Sequence, residues 1–448
     1  MDLIISMGIA FAALIYGVYS GIFIGYILIA CLFLFAVAAW RRGFTIQKIV
    51  GMAYGGGKKA LIVLRIFLLI GAITAAWMAS GTVPGIVYYG IKFMNPNYFI
   101  LYAFLISSIV SFLLGTSLGT ISTVGISFMM MAKGGGVNTA AAAGALIAGA
   151  YFGDRCSPMS SSAHLVANLT ESDLYINIKN MFKSAGIPLL LAVIFFGILS
   201  FQQPLDFSGS YIDQEIYRIF AIHWSVLLPA LIILILAAFR VDVKKSMFIS
   251  IITAAVLGMM LQSYSMREVL QYILFGFRLS GESALQGIIK GGGVLSMWKP
   301  SLVVAVSCAL AGIFEGTEML QYIEKFLLKT KTRHTLFLYT ILVSMATGAF
   351  GCSQSISIVL TNQLMKNSYR EKGLDRHRLA LDIENTSVVL SPLIPWNIAA
   401  LVPTTTMGVS STAYLPFASY LYLIPIWNLL CYWMSERKYQ PAAKTGEV

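Results

Sequence analysis

The chain has 448 residues, of which 58% are hydrophobic and only 11% carry a charge. A soluble domain keeps roughly a quarter of its residues charged to stay wetted, so this composition excludes an ordinary soluble protein and points to one covered by lipid. The net charge of +12 does not mark a nucleic-acid partner, because the bases fall in short clusters between apolar runs, the pattern of cytoplasmic loops.

The first 39 residues hold one acid and no base, and divide into apolar runs at 3–20 and 22–39. No basic segment precedes the first run, so it reads as a span rather than a cleaved leader. Further spans are predicted at 60–91, 185–201, 219–239, 246–262, 300–324 and 414–435. Four other regions, 98–132, 136–168, 335–365 and 378–410, are apolar but interrupted by Gly, Ser, Thr and Pro. They are too long for one span and too broken for two. The five cysteines (31, 156, 308, 352 and 431) show no CxxC or zinc spacing, so neither a disulfide framework nor a resident metal or cofactor is expected.

The chain repeats itself. Gly55-Gly56-Gly57 recurs as Gly291-Gly292-Gly293, Gly81-Thr82 as Gly316-Thr317, Gly115-Thr116-Ser117 as Gly351-Cys352-Ser353, and Ser157-Pro158 as Ser391-Pro392, always 234 to 236 residues on. Charge then sets the orientation. If 98–132 and 335–365 are re-entrant hairpins while 136–168 and 378–410 each cross once, 22 bases lie inside and 7 outside. Full crossing by the hairpins would move the five bases at 366–378 outside and weaken that bias. The expected fold is therefore an all-α polytopic membrane protein of two inverted repeats with re-entrant hairpins and broken helices. N-terminal helices occupy 1–45, the first repeat 46–205, linking helices 206–262, the second repeat 263–436, and a cytoplasmic tail 437–448. Both termini are expected in the cytoplasm. Irregular backbone at membrane depth survives only where protein or a water-filled cavity satisfies it, so matched breaks point to one shared central site.

The first break runs Gly153-Asp154-Arg155-Cys156-Ser157-Pro158-Met159-Ser160-Ser161-Ser162-Ala163-His164. Pro158 opens the helix. Freed carbonyls and the hydroxyls of Ser157, Ser160, Ser161 and Ser162 are hard oxygen ligands suited to Na⁺. Asp154 supplies the negative charge for a cation or proton, and Arg155 either pairs with Asp154 or forks onto a substrate carboxylate. The second break runs from Asp382 to Asn397 with prolines at 392 and 395, and offers Glu384, Asn385, Thr386, Ser391 and Asn397. Asp382 is expected to neutralise Arg378. At the hairpin tips, Thr116, Ser117, Thr120, Ser353 and Ser355 sit among small residues whose amides, at helix N-termini, favour an anionic group; the bland reading is small-residue helix packing.

Glu315, deep in an apolar run, joins Asp154 and Glu384 as a proton-coupling candidate. His164 reads first as a structural residue. The glycine triplets lack the GK[ST] of a phosphate loop, which removes an ATP-driven pump. Asp154, Ser160 and His164 also permit an intramembrane serine hydrolase, but that leaves the duplication unexplained. A passive channel is the other alternative.

Gly153-Asp154-Arg155 with Ser157-Pro158 and Ser160 is similar to the GDK-x-SP-x-S signature of the NhaC family of Na⁺/H⁺ antiporters, part of the ion-transporter superfamily. Ser391-Pro392-Leu393-Ile394-Pro395-Trp396-Asn397 resembles that family's second signature, and Gly115–Thr120 and Ala79–Pro84 fit as well. The likeness covers about residues 54–410. It implies inverted repeats with re-entrant hairpins and no enzymatic activity. Two departures stand out: Ser161 and Asn385 lie where the family tends to carry acids. The family also includes carriers of amino acids and carboxylates, such as malate–lactate exchangers. The expectation is a secondary transporter of the inner (plasma) membrane, coupling Na⁺ or H⁺ to a small carboxylate or amino acid by alternating access. Na⁺/H⁺ antiport proper stays open beside it, as does a homodimeric state.

Overall fold

The computed structural model describes residues 2–206, 212–239, 241–279, 289–317 and 332–438. Helix α1 (Asp2–Tyr19) and α2 (Ile24–Arg41) lead into α3 (Ile46–Ala79) and α4 (Thr82–Phe93). The first hairpin is α5 (Phe99–Leu114) returning through α6 (Ser117–Thr120), a π-helical turn (Ile121–Gly125) and α7 (Ile126–Gly134). The broken helix is α8 (Thr139–Cys156) with α9 (Ser161–Thr170), and α10 (Leu174–Gln202) closes the half. Linking helices α11 (Ile212–Ile219), α12 (Leu228–Ala238), α13 (Val243–Leu261) and α14 (Met266–Phe275) follow. A two-residue antiparallel ribbon, β1 (Phe277–Arg278) with β2 (Lys290–Gly291), precedes α15 (Trp298–Gly316). The second hairpin is α16 (Arg333–Gly351) with α17 (Gln354–Glu371). Helix α18 (Arg376–Ile383), a π-helical turn (Glu384–Val388) and α19 (Ile398–Met407) make the second broken helix, and α20 (Ser419–Lys438) ends the chain.

Six of these helices are long and apolar enough to cross a bilayer, and two bent pairs, Leu64–Ala79 with Thr82–Phe93 (64°) and Arg376–Leu393 with Ile398–Met407 (47°), raise the number to eight among the described residues. Their surfaces are those of lipid-facing helices. On α10, Leu190, Ile194, Ile198 and Phe201 recur at helical spacing and are 49–59% exposed, while Ala185, Ala192 and Phe196 face inward. In water such a stripe would demand a partner; in hydrocarbon it is the ordinary exterior.

The structure corrects several boundaries. The span expected at 60–91 begins at Ile46, carries the first glycine triplet inside α3, and bends at Gly81, whose φ of +78° ends the helix. The second glycine triplet, Gly291–Gly293, is non-helical with positive φ throughout, so the two triplets do different work. The run at 219–239 is broken, with only α12 as a long helix. Helix α15 is described to Gly316, and the remainder of the run expected at 300–324 lies, from 318 on, outside the described residues.

Matching devices recur with a constant spacing of 237 residues, one to three more than the raw sequence repeat. Gly115 (φ +64°) and Cys352 (φ +49°) turn the two hairpins, so the second turn is made by Cys352 and not by Gly351. Thr116 and Ser353 then cap the returning helices, and Ser160 and Asn397 cap the helices that follow each break. At Gly115 a Cβ would stand 2.4 Å from the backbone of Met159, which brings the hairpin tip directly onto the first break.

Helices α3 and α15 cross at glycines. A Cβ on Gly56 would lie 2.1 Å from the Cys308 carbonyl oxygen, and one on Gly312 would lie 2.3 Å from that of Met52. Small residues let the backbones approach where no hydrophobic effect drives helices together. We expect Gly56→Val to lower the detergent-solubilised protein's thermal midpoint, by overpacking worth about 1–3 kcal/mol. Gly55→Val, whose Cβ meets nothing within 4 Å, is expected to leave it near wild type. Equal midpoints would show that the crossing tolerates separation.

Candidate functional site

Asp154 lies in the last turn of α8, only 4% exposed. A carboxylate at that depth needs donors, and four side chains supply them. Ser160 (3.0 Å) and Ser162 (3.4 Å) reach Oδ1 from the start of α9. Ser117 (3.3 Å) and Gln354 (3.4 Å) reach Oδ2. Ser117 and Gln354 are the first residues of the two returning hairpin helices and stand 237 residues apart. One carboxylate oxygen is thus shared by the first residues of two helices that each follow a turn. All four donors come from first turns of helices, where the backbone partial charge is positive and favours an anion.

The scaffold around this point is built from backbone contact. Gly149 and Gly153 let α8 lie against α5 with no room for a Cβ. Ser107 donates across that contact to the Leu146 carbonyl at 2.7 Å, and Ser157 bonds the Phe112 carbonyl at 2.6 Å. In the second half, Asn397 Nδ2 holds the Gly348 carbonyl and Trp396 Nε1 that of Ala349, each at 2.8 Å. Tyr414 OH closes on the Pro392 carbonyl. Carbonyls at the C-terminal ends of α5 and α16, and that of Pro392, are thus taken up by side chains at the two breaks and by Tyr414.

Of the two roles expected for Arg155, pairing with Asp154 is not the one seen: its hydrogen bonds go elsewhere. It is fully buried and makes its contacts with α10, α20 and the second break: Nη2 to Ser184 Oγ at 2.8 Å and to Asn385 Oδ1, Nη1 to the Met181 carbonyl at 3.3 Å and to Tyr420 OH at 3.4 Å. Successive residues on a helix diverge by about 100°, so adjacent Asp and Arg seldom share a partner. Arg155 Nε and Asn385 Nδ2 have no hydrogen-bond partner among the described residues.

Glu384, one residue before Asn385, is fully buried, and neither carboxylate oxygen has a hydrogen-bond partner among the described residues. It lies within electrostatic reach of both Asp154 and Arg155. Desolvating an unpaired carboxylate costs several kcal/mol unless a proton or a cation offsets it. Its neighbours do not help, because their hydroxyls are bonded to one another: Ser344 to Thr386 and Ser387 (2.9 Å each), Ser387 to Thr361 (3.1 Å), and Thr347 to Thr361 (3.0 Å).

The remaining expected residues divide clearly. Thr116 and Thr120 serve their own helix turn, Ser391 bonds the Ser387 carbonyl, and Asn397 caps α19. Ser161 and Ser355 are exposed, and Ser353 caps α17 through its backbone alone. The side chain of Glu315 lies outside the described residues. His164 bonds the Ser160 carbonyl rather than its hydroxyl, so no Ser–His dyad forms. Sequence reasoning missed Gln354, Ser184, Ser344 and Tyr420. Gln354 stood in a tip already singled out; Ser184 and Tyr420 carry no local signal.

Asp382 was expected to neutralise Arg378 and instead pairs with Arg333, the first residue of α16, inside the rings of Phe337, Tyr369 and Tyr432. Tyr369 and Tyr432 also donate to its carboxylate. This buried pair ties α16, α17, α18 and α20 together at one end of the molecule.

Broken helices meeting at a caged carboxylate and an unpaired one, inside a bundle with a lipid-facing exterior, define an ion-coupled secondary transporter. Residues 149–435 match the Na⁺/H⁺ antiporter family, and the chain belongs to that family. It is 29% identical over 433 residues to the Na⁺/H⁺ antiporter NhaC of Bacillus subtilis, covering 91% of this chain and 95% of that protein. It is 27% identical over 423 residues to the malate-2H⁺/Na⁺-lactate antiporter of the same organism (93% and 90% covered). It is 26% identical over 400 residues to the arginine/ornithine antiporter ArcD of Halobacterium salinarum (87% and 82% covered). These relatives are antiporters, not enzymes.

Replacing Arg333 by Leu should strip the buried Asp382 of its counter-charge, a loss of about 3–5 kcal/mol for a broken buried pair. The expected result is a sharply lower thermal midpoint, partly restored when Asp382→Asn is added. A double variant no better than the single one would assign the effect to packing.

Proposed function

We propose that the protein couples Na⁺ or H⁺ to the movement of a small carboxylate or amino acid across the plasma membrane by alternating access. The single observation that carries this is the contrast between Asp154, caged by four donors, and Glu384, which has none. Asp154 is equipped to remain an anion and to hold a cation among Ser117, Ser160 and Ser162. Glu384 is equipped to exchange a proton for a cation. The organic solute follows from Asn385. A neutral amide on Arg155, at a position where the family tends to carry an acid, leaves the guanidinium held by neutral partners that a carboxylate can displace. The names of the relatives span Na⁺/H⁺, carboxylate and amino-acid exchange, which supports this range.

The same reading takes 46–205 and 263–436 as inverted repeats with re-entrant hairpins turning at Gly115 and Cys352. The constant 237-residue spacing of turns and caps supports it. So does the clustering of bases at Lys366–Arg378, which favours a cytoplasmic location for that end and for both termini. Na⁺/H⁺ exchange without solute is the second reading, favoured by the presence of both Asp154 and Glu384.

The test uses purified protein in liposomes holding a pH-sensitive dye. A Na⁺ pulse alone is expected to give little signal, and a pulse with one solute class to give a clear one. Asp154→Asn is expected to abolish the coupled signal. Ser160→Ala, which removes one donor, should weaken apparent Na⁺ affinity by roughly 3- to 10-fold. A full response to Na⁺ alone would move the assignment to simple antiport, and retained coupling in Asp154→Asn would remove that residue from the mechanism.

A further inference from the structure

A cavity of about 450 Å³ opens between α10, α18 and α20, beside the start of the second broken helix. Exposed Lys183 and Arg378 stand on its wall with half-buried His377, whose ring nitrogen bonds Asn177 at 2.9 Å. Asp375, the one acid lining it, accepts from the Arg378 backbone N–H at 2.8 Å. Ser184 is also a lining residue. That hydroxyl receives Arg155 Nη2 and itself lies 3.3 Å from Asn385 Oδ1. A single hydroxyl therefore separates this basic cavity from the interior site, where Arg155 Nε and Asn385 Nδ2 have no partner among the described residues.

We propose that this cavity is the anion vestibule on the cytoplasmic side, and that Ser184 is the specificity-determining residue through which a solute carboxylate reaches Arg155. The inference rests on the coupled-carrier reading above. Nε and one terminal nitrogen of a guanidinium form an edge that matches the two oxygens of a carboxylate. Here Nε is free and Nη2 is held by neutral partners, so an entering carboxylate displaces Asn385 Oδ1 and takes Nη2 and Nε as a fork. The Ser184 hydroxyl, whose own proton now lies toward the Met181 carbonyl (3.0 Å) or Asn385 Oδ1 (3.3 Å), then turns that proton onto the carboxylate. Asn385, released, has both its amide groups available to the polar end of the solute. Lys183 and Arg378 raise the local concentration of anions at the mouth.

The chain carries its own probe. Cys431 lines the cavity and is half-buried, whereas Cys31, Cys156, Cys308 and Cys352 are buried. Inverted membrane vesicles would be treated with impermeant thiosulfonates, one bearing a sulfonate and one a trimethylammonium group. Modification of Cys431 would be followed by mass spectrometry with and without malate, lactate or arginine. We expect the sulfonate reagent to react several-fold faster, a carboxylate solute to protect, and Lys183→Gln/Arg378→Gln to abolish the charge preference. Right-side-out vesicles are expected to leave Cys431 unmodified.

In transport assays, Arg155→Lys keeps the charge but loses the fork. It should raise KM for the carboxylate roughly 10-fold, the equivalent of one charge-assisted hydrogen bond, with a smaller change in kcat. Ser184→Ala should raise KM in the same sense and Ser184→Thr should restore it. Equal reaction of both reagents without protection by any solute would overturn the vestibule. If solute-coupled flux persisted in that case, the carrier reading would stand alone. Protection by a carboxylate that drives no flux would sink the carrier reading and keep the binding site.

Discussion

A charge inside hydrocarbon must be surrounded by its own solvent, and in this protein that requirement organises the fold around Asp154. Four donors have to converge on one carboxylate, and no continuous helix can bring them there. The chain therefore stops α8, turns the hairpins at Gly115 and Cys352, and restarts α6, α9 and α17 with their first turns aimed inward. The small residues are consequences. Gly149 and Gly153 draw α8 onto α5, and Gly115 allows the hairpin tip to touch Met159. Each broken backbone is then tied to the neighbouring hairpin through Ser157 or Asn397.

The two breaks spend their hydroxyls differently. In the first, hydroxyls are spent on the carboxylate. In the second, Ser344, Thr347, Thr361, Thr386 and Ser387 bond among themselves and stabilise the π-helical turn that carries Glu384 and Asn385. A π turn shifts the register of the residues it contains and is frequent at functional positions. Here it turns Asn385 toward Arg155 and leaves Glu384 beside it with no donor. One acid is solvated by protein, and the other has no hydrogen-bond partner among the described residues.

Much of this was written in the sequence, because prolines, glycines and caps act locally. Pro158, Gly115 and the Ser-Pro pairs announced both breaks. Asp154 and Glu384 were legible as rare acids in apolar surroundings. What was not legible depended on helix phase and on distant partners. Among Ser160, Ser161 and Ser162, only the second turns outward, since its neighbours occupy the capping and first-turn positions facing Asp154. The direction of Arg155 is set by α10 and α20, far along the chain, and Asp382 finds Arg333 at a distance of 49 residues rather than its near neighbour. Gln354 was not legible because its amide reaches Asp154 across 200 residues of chain, a contact that no local pattern marks. The apparent equivalence of Gly115 with Gly351 failed by one residue, since sequence likeness follows residue type while the turn follows backbone conformation.

The proposed coupling follows from charge balance in this centre. With both acids ionised, Asp154, Arg155 and Glu384 carry one net negative charge, and low-dielectric surroundings make an uncompensated charge cost several kcal/mol. A cation or proton cancels it. A solute carboxylate arriving on Arg155 brings a second negative charge, so the filled site closes as a neutral unit only if a further cation or proton arrives too. An acid in place of Asn385 would itself occupy Arg155, and the centre could then exchange small cations but would have no free guanidinium for an organic anion. One amide nitrogen in place of a carboxylate oxygen thus changes what the centre needs to be neutral, and with it what must travel together.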